Sequence, residues 1–185
     1  MQKFNAFADF TYRVAAESDL DALDRLIERA IACLQDDFLS PEQVKASRLV
    51  MGLDTQLVRD GTYFMIERDE TLVGCGGWSW RSTLYGGDVS LVAREPAPLD
   101  PAIDAARIRA MYTNPDFARQ GIGRGLLELC ENAARAHGFR RAEMMATLAG
   151  EPLYRVCGYE PIARVQSREV NGVSIPLIHM GKSLA

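Results

Sequence analysis

A chain of 185 residues with 48% hydrophobic and 25% charged side chains can bury a core unaided, and is neither a disordered segment nor a solenoid. Its formal net charge of -4 gives no general electrostatic reason to bind nucleic acid or an anionic membrane surface. The opening "MQKFNAFADFTYRV" has no sustained apolar stretch, and no run anywhere approaches the roughly 18 apolar residues a membrane-crossing helix needs, so a cytoplasmic protein is expected.

The chain first reads as a short strand, Thr11 to Ala15, followed by a helix capped at Ser18-Asp19 with Leu20, Leu23, Ile27, Ile31 and Leu34 at helical spacing. A second helix is expected at Ser40-Pro41-Glu42-Gln43, where Ser40 caps, Pro41 suits the first helical position and Gln43 completes a capping box. Asp60-Gly61 then turns the chain into two β-rich runs, Thr62 to Arg68 and Thr71 to Trp80, which the polar link Asp69-Glu70 makes a hairpin. The stretch from Arg81 to Ala106, punctuated by Gly86, Gly87, Pro96, Pro98 and Pro101, reads as a long loop of the kind that usually serves function.

Arg107 to Thr113 forms the next strand, which ends at Asn114-Pro115. The helix beyond it carries Leu126, Leu129, Cys130, Ala133, Ala134 and His137 on one face and stops at Gly138. A strand from Arg141 to Thr147 follows, then a short helix "EPLYRVC" ended by Gly158. Val165 to Val170 and Val173 to Met180 form a hairpin closed by Asn171-Gly172, in which Pro176 demotes its strand to an edge or a bulge, a candidate place for a second subunit to dock. Strand, helix and strand in this order imply a parallel pair, and the chain reads as one mixed α/β domain.

Four cysteines, Cys33, Cys75, Cys130 and Cys157, lie far apart with no CxxC, and the two histidines, His137 and His179, are equally distant. That fits neither a zinc site nor a disulfide framework, so no metal is expected and the thiols read as core filler. The segment between the strand and the long helix carries the chemistry: "NPDFARQGIGRGLL" places Gly121, Gly123 and Gly125 at alternate positions with Arg119 and Arg124 beside them. A helix start offers N–H groups without partners and a positive dipole end, and bare backbone lets a diphosphate approach both. Walker A spacing is absent, and GxGxG is not the GxGxxG of a dinucleotide fold. The stretch by itself suits a phosphate cradle and a simple packing turn equally well.

"NPDFARQGIGRGLL", "EPLYRVCGYEPI" about thirty residues later and "GVSIPLIHMGKSL" at the end together resemble the acetyl-CoA-dependent N-acetyltransferases of the GNAT superfamily, over roughly Phe10 to Leu184. The family motif Q/R-x-x-G-x-G/A falls on Ala118, Arg119, Gln120, Gly121, Ile122 and Gly123, with alanine at its first position. The resemblance implies a central, mostly antiparallel sheet splayed at a parallel strand pair and flanked by helices, with residues 1–185 as a single domain and 81–106 as a loop or insertion near the acceptor. It further implies that Met111, Tyr112 and Thr113 pair with the pantetheine arm, and that Arg119, Gln120, Gly121, Ile122, Gly123 and Arg124 hold the pyrophosphate. A backbone N–H at Met111 would serve the developing oxyanion, and Tyr154 of "PLYRVCGY" would protonate the leaving thiolate. Seven residues before Tyr154, where many members carry asparagine, this chain has Thr147.

No glutamate marks a general base on the strand "ARIRAMYT", where Arg109 stands near that position, so Glu67, Asp88 and Asp104 are the candidates beside a water chain. Arg107 and Arg109 lie two apart on one strand face, which would favour an acceptor carrying a carboxylate if Arg109 lines its slot, and Trp78 and Trp80 alternate in the same way. The substrate-side residues expected are thus Arg109, Trp78 and Asp88. The function that follows is acetyl transfer from acetyl-CoA, as co-substrate, to a primary amine of a small molecule, with homodimer formation a family-level expectation. A protein amine as acceptor, or a CoA-binding regulatory module without turnover, are the alternatives.

Overall fold

A computed structural model describes residues 2–3, 9–90 and 97–185. Its frame is one eight-stranded sheet, β1 (Gln2–Lys3), β2 (Thr11–Val14), β3 (Tyr63–Arg68), β4 (Thr71–Ser79), β5 (Ala106–Thr113), β6 (Arg141–Thr147), β7 (Glu160–Gln166) and β8 (Pro176–Ser183). The spatial order is β1-β2-β3-β4-β5-β6-β8-β7, and every neighbouring pair is antiparallel except β5 and β6. The helices are α1 (Leu20–Leu34), α2 (Pro41–Ser47), α3 (Thr55–Arg59), α4 (Ile122–Ala136) and α5 (Glu151–Val156). None is long and apolar enough to cross a membrane among the described residues.

Local chemistry explains most of these elements. The Ser40 hydroxyl accepts from the Gln43 N–H at 3.3 Å while the Gln43 side chain accepts from the Ser40 N–H at 3.1 Å, so the capping box that starts α2 is complete. Asp69 and Glu70 take φ of 47° and 62°, the two left-handed residues of a tight hairpin turn whose twist matches β3 and β4. Short α3 has too little periodicity to show in the sequence; it exists because Asp54 accepts from the Gln56 N–H at 3.1 Å and so caps it.

The two long helices cover opposite faces. Leu127, Cys130 and Ala134 of α4 pack with Ala106, Ile108, Ala142 and Met144 of the parallel strands. Leu23, Leu26, Ile27 and Ile31 of α1 pack with Tyr63, Met65 and Cys75, and Ala110 and Tyr112 of β5 lean on the same cluster. Burying such a side chain contributes about 1.5–3 kcal/mol, so these stripes fix both helices to the sheet.

The last hairpin differs from the sequence expectation. Asn171 and Gly172 do turn, with φ of 51° and 80°, but the paired strands run from Glu160 and on to Ser183. The register joins Gln166 to Pro176 and Glu160 to Gly181. Pro176 is therefore the first residue of β8, a position that needs no donor, and β8 lies inside the sheet between β6 and β7. The edge strand is β7, whose charged and proline-bearing residues hide its strand character. Of the long connection 81–106, residues 91–96 lie outside the described residues; the remainder is held by an Arg81–Pro98 bridge and by a turn between Asp100 and Asp104.

Candidate active site

The parallel pair is short. Ala106, Arg107 and Ile108 pair with Ala142, Glu143 and Met144, and there the pairing stops. Beyond it β5 pairs only with β4 and β6 only with β8. The open edge of β5 presents alternate N–H and C=O groups with no strand beside them.

A bulge sits where the strands part. The β4–β5 register shifts between Cys75 and Gly77, and Ala110 opposite takes a φ of 52°. The Ala110 carbonyl is taken by the hydroxyl of Tyr63 at 2.9 Å, from beneath the sheet. Tyr63 is fully buried, which pushes its phenol well above the ordinary value, so it stays a donor. Past the bulge, the Met111 side chain packs under α4, whereas Tyr112 points to the α1 side and its hydroxyl accepts from the Gly52 N–H at 3.0 Å.

At the end of β5, Asn114 accepts from the Asp116 N–H at 3.1 Å, and Arg29 of α1 grips both Asn114 and Asp116. The chain then reaches Arg119 and Gly121, with φ of 64° and 84°. Gly121 is the N-cap of α4 and no side chain caps the helix, so its first N–H groups face outward beside Arg119 and Arg124, both exposed. At Gly123 an added Cβ would lie 2.7 Å from Cδ2 of Leu153 in α5. The bare Cα there packs against the Leu153 side chain, which ties the turn to the helix that carries Tyr154.

One cavity of about 940 Å³ runs along this opening. Met111, Tyr112, Thr113, Arg119, Gly121, Ile122, Gly123 and Arg124 line it on one side, and Thr147 and Tyr154 on another. Gln120 is exposed and not part of the wall. Tyr154 is 9% exposed, and burial pushes its phenol well above the ordinary value. Thr147 accepts from the Gly150 N–H at 3.2 Å and shapes the turn into α5.

Of the substrate-side residues expected from the sequence, Trp78 and Asp88 lie away from the cavity and Arg109 lines it. Trp78 is a core residue at 4% exposure, stacked edge-on among Trp80, His137 and Phe139 under α4, because its register partner is Ile108 on that face. Asp88 accepts from the Thr55 N–H at 3.1 Å, at the start of α3, and does not line the cavity. Arg109 does line it, but its guanidinium is buried against Asp54 at 2.7 Å and donates to the Gly86 carbonyl. Its charge is already matched by Asp54. Arg107 pairs with Glu143, which His179 also meets at 3.0 Å.

The carboxylates considered as bases are likewise outside the cavity. Glu67 pairs with Arg13 at 3.0 Å, and Asp104 accepts from the Asp100 N–H at 2.8 Å. The carboxylate that does line the cavity, alone among the described residues, is Asp37, just beyond α1, with Gln35 and Phe38 beside it. Sequence reasoning passed over these residues because α1 and its following turn carry no motif. The sole hint was the run Gln35-Asp36-Asp37-Phe38, which breaks the apolar period of α1.

The comparisons agree with this geometry. The profile of the acetyltransferase (GNAT) family matches residues 27–159, more than half of the chain. No curated protein sequence matches. Among solved structures, a GCN5-related N-acetyltransferase from Rhodopseudomonas palustris superposes with a TM-score of 0.69 at 19% identity, covering 94% of this chain and 94% of that one. The acetyltransferase yncA from Salmonella typhimurium, solved with acetyl-CoA, gives 0.63 at 18% identity, covering 96% and 95%. A ribosomal-protein-alanine N-acetyltransferase from Brucella melitensis gives 0.62 at 20% identity, covering 94% and 99%. The matched residues span the splayed parallel pair and the glycine turn, and the chain belongs to the GNAT acetyltransferase family.

Proposed function

We propose that the protein transfers the acetyl group of acetyl-CoA to a primary amine of a small molecule, by direct attack in a ternary complex with no covalent acetyl-enzyme. The observation that carries this reading is the cavity between β5 and β6, with an uncapped helix N-terminus at one part of its wall and a buried tyrosine at another. The residues suit CoA. Arg119, Arg124 and the first N–H groups of α4 suit a diphosphate, and the open β5 edge at Met111, Tyr112 and Thr113 suits the amides of a pantetheine arm. Acetyl-CoA would bring an activated acyl group to this site.

The chain then has three tasks. The β5 edge orients the thioester, with the Met111 N–H as donor to its carbonyl oxygen. The cavity holds the amine against it, which turns a bimolecular encounter into a local one. Tyr154, kept protonated by burial, gives its proton to the sulfur as the C–S bond breaks, and the proton that the attacking nitrogen sheds as the C–N bond forms passes through water to restore the phenol. The same reading takes residues 1–185 as one acetyltransferase domain of the cytoplasm that needs no metal and has no nucleic acid or membrane partner, with homodimer formation the family-level expectation.

The test is thiol release from acetyl-CoA against a panel of amines, beside calorimetric titration of CoA. Binding with turnover supports the reading. Binding without thiol release across the panel transfers it to a protein amine or to a CoA-binding regulatory module, and no binding removes it.

A further inference from the structure

One side chain of the cavity wall carries a buried polar atom that no group among the described residues uses. Gln35 closes α1, and its backbone carbonyl accepts from the N–H groups of Phe38 and Leu39 at 2.9 and 3.0 Å, which folds the turn into α2. Its side chain is 5% exposed and lines the cavity. Among the described residues the amide Nε2 meets the Met51 sulfur, at 3.9 Å, and the Oε1 has no hydrogen-bond partner. A buried amide carbonyl without a partner is costly, and a fold keeps one chiefly where a ligand completes it.

Two neighbours define what that ligand is. Met51 is followed by Gly52, whose N–H is bonded to the Tyr112 hydroxyl from the β5 strand, so Gln35 lies on the wall that continues from the thioester-binding edge. Asp37 is exposed and is the carboxylate of the cavity wall, among the described residues. The three arginines of that wall do not balance it: Arg109 is already neutralised by Asp54, and Arg119 and Arg124 stand at the glycine turn beside the α4 N-terminus. The wall formed by the α1 end is therefore an acceptor of N–H groups with a negative charge beside it.

We infer that Gln35 and Asp37 form a recognition site for a second, non-reacting ammonium group, so that the acceptor is a diamine or other amine with a cationic tail rather than an amino acid or a neutral amine. The inference rests on the acetyltransferase reading and deepens it. The Gln35 carbonyl takes one N–H of the ammonium and Asp37 supplies the counter-charge. A carboxylate on the acceptor meets Asp37 in repulsion.

The experiment uses three probes of equal chain length: butylamine, diaminobutane and γ-aminobutyrate. Calorimetry first measures CoA binding, then diaminobutane binding to the CoA-saturated protein; thiol release gives kcat/KM for each amine. The expected result is a diamine preference of about tenfold over butylamine, the range of a hydrogen bond to a charged group, with γ-aminobutyrate the poorest. Asp37→Asn and Gln35→Leu each weaken diaminobutane binding by about tenfold and leave CoA affinity as it was. Gln35→Glu, which keeps an acceptor atom in place, retains the diamine preference. Equal kcat/KM for the three amines overturns the inference, as does preference for γ-aminobutyrate, or loss of CoA rather than diamine affinity in Gln35→Leu. CoA binding without turnover or binding of the diamine overturns it too. Failure of wild-type protein to bind CoA is a different result, because it removes the acetyltransferase reading beneath it.

Discussion

The two sides of the cavity are built from different materials. On the β5–α4 side the wall is largely main chain: an unpaired strand edge, a left-handed turn and the bare start of a helix. On the α1 side it is made of side chains, Gln35, Asp37, Phe38 and Met51, from segments with no shared spacing. A main-chain wall can accept the same group in many proteins, since backbone is the same everywhere, whereas a side-chain wall can be rewritten residue by residue. The contrast separates what binds the common donor from what selects the acceptor.

The sharpest way to break that contrast is Arg109, which touches both sides. Its pair with Asp54 is nearly inaccessible, at 3% and 1% side-chain exposure, and Arg109→Ala leaves a buried carboxylate unmatched. Stability is expected to fall by about 3–5 kcal/mol, read as a lower urea midpoint. Unchanged stability with a raised acceptor KM would return Arg109 to the role of a substrate receptor.

Next in size is Tyr154→Phe, expected to lower kcat about a hundredfold while calorimetric CoA affinity holds, because only the proton donor is lost. A drop of similar size in CoA affinity would make Tyr154 a wall residue instead. Gly123→Ala sharpens the comparison differently. Its Cβ meets the end of the Leu153 side chain at 2.7 Å, so that side chain must turn aside, and the expected cost is about 1 kcal/mol in thermal or urea unfolding together with a slightly lower kcat. Full stability with weakened CoA binding would place the importance of that glycine in ligand approach alone.

How much of this was legible in the sequence follows the same division. Gly121 and its arginines stood out because a left-handed N-cap and a side-chain-free approach restrict the residue types that fit. The capping box at Ser40 and the turn at Asp69-Glu70 were legible for the same reason. The surroundings of Trp78 and Arg109 were not legible because alternation along a strand gives a face without saying what covers it: α4 covers Trp78, and Asp54, the N-cap of an unexpected short helix, pairs with Arg109. β7 was missed because edge strands carry the charges and proline that argue against a strand. Gln35 and Asp37 showed only as a break in the apolar period of α1, since an unpartnered carbonyl exists only once the chain is folded.

The smallest effect lies at the anchor of the long connection. Arg81 at 2.7 Å holds Asp60 below its ordinary 3.8, so that pair's contribution is complete above about pH 4 and is lost as pH falls through the lowered value. Asp60→Asn is expected to cost about 1 kcal/mol or less at neutral pH and to make acid unfolding shallower there. An unchanged acid limb would show the pair contributes nothing measurable.

The central claim is that the parted strands and the glycine turn bind CoA, and calorimetric titration of CoA into wild type and Gly121→Val tests it most directly. Valine at a φ of 84° strains the turn that bares the α4 N-terminus. The account predicts saturable one-site binding in wild type and at least about tenfold weaker binding in the variant, the effect of roughly 1–2 kcal/mol of backbone strain. No binding to wild type, or equal binding to both, would contradict it.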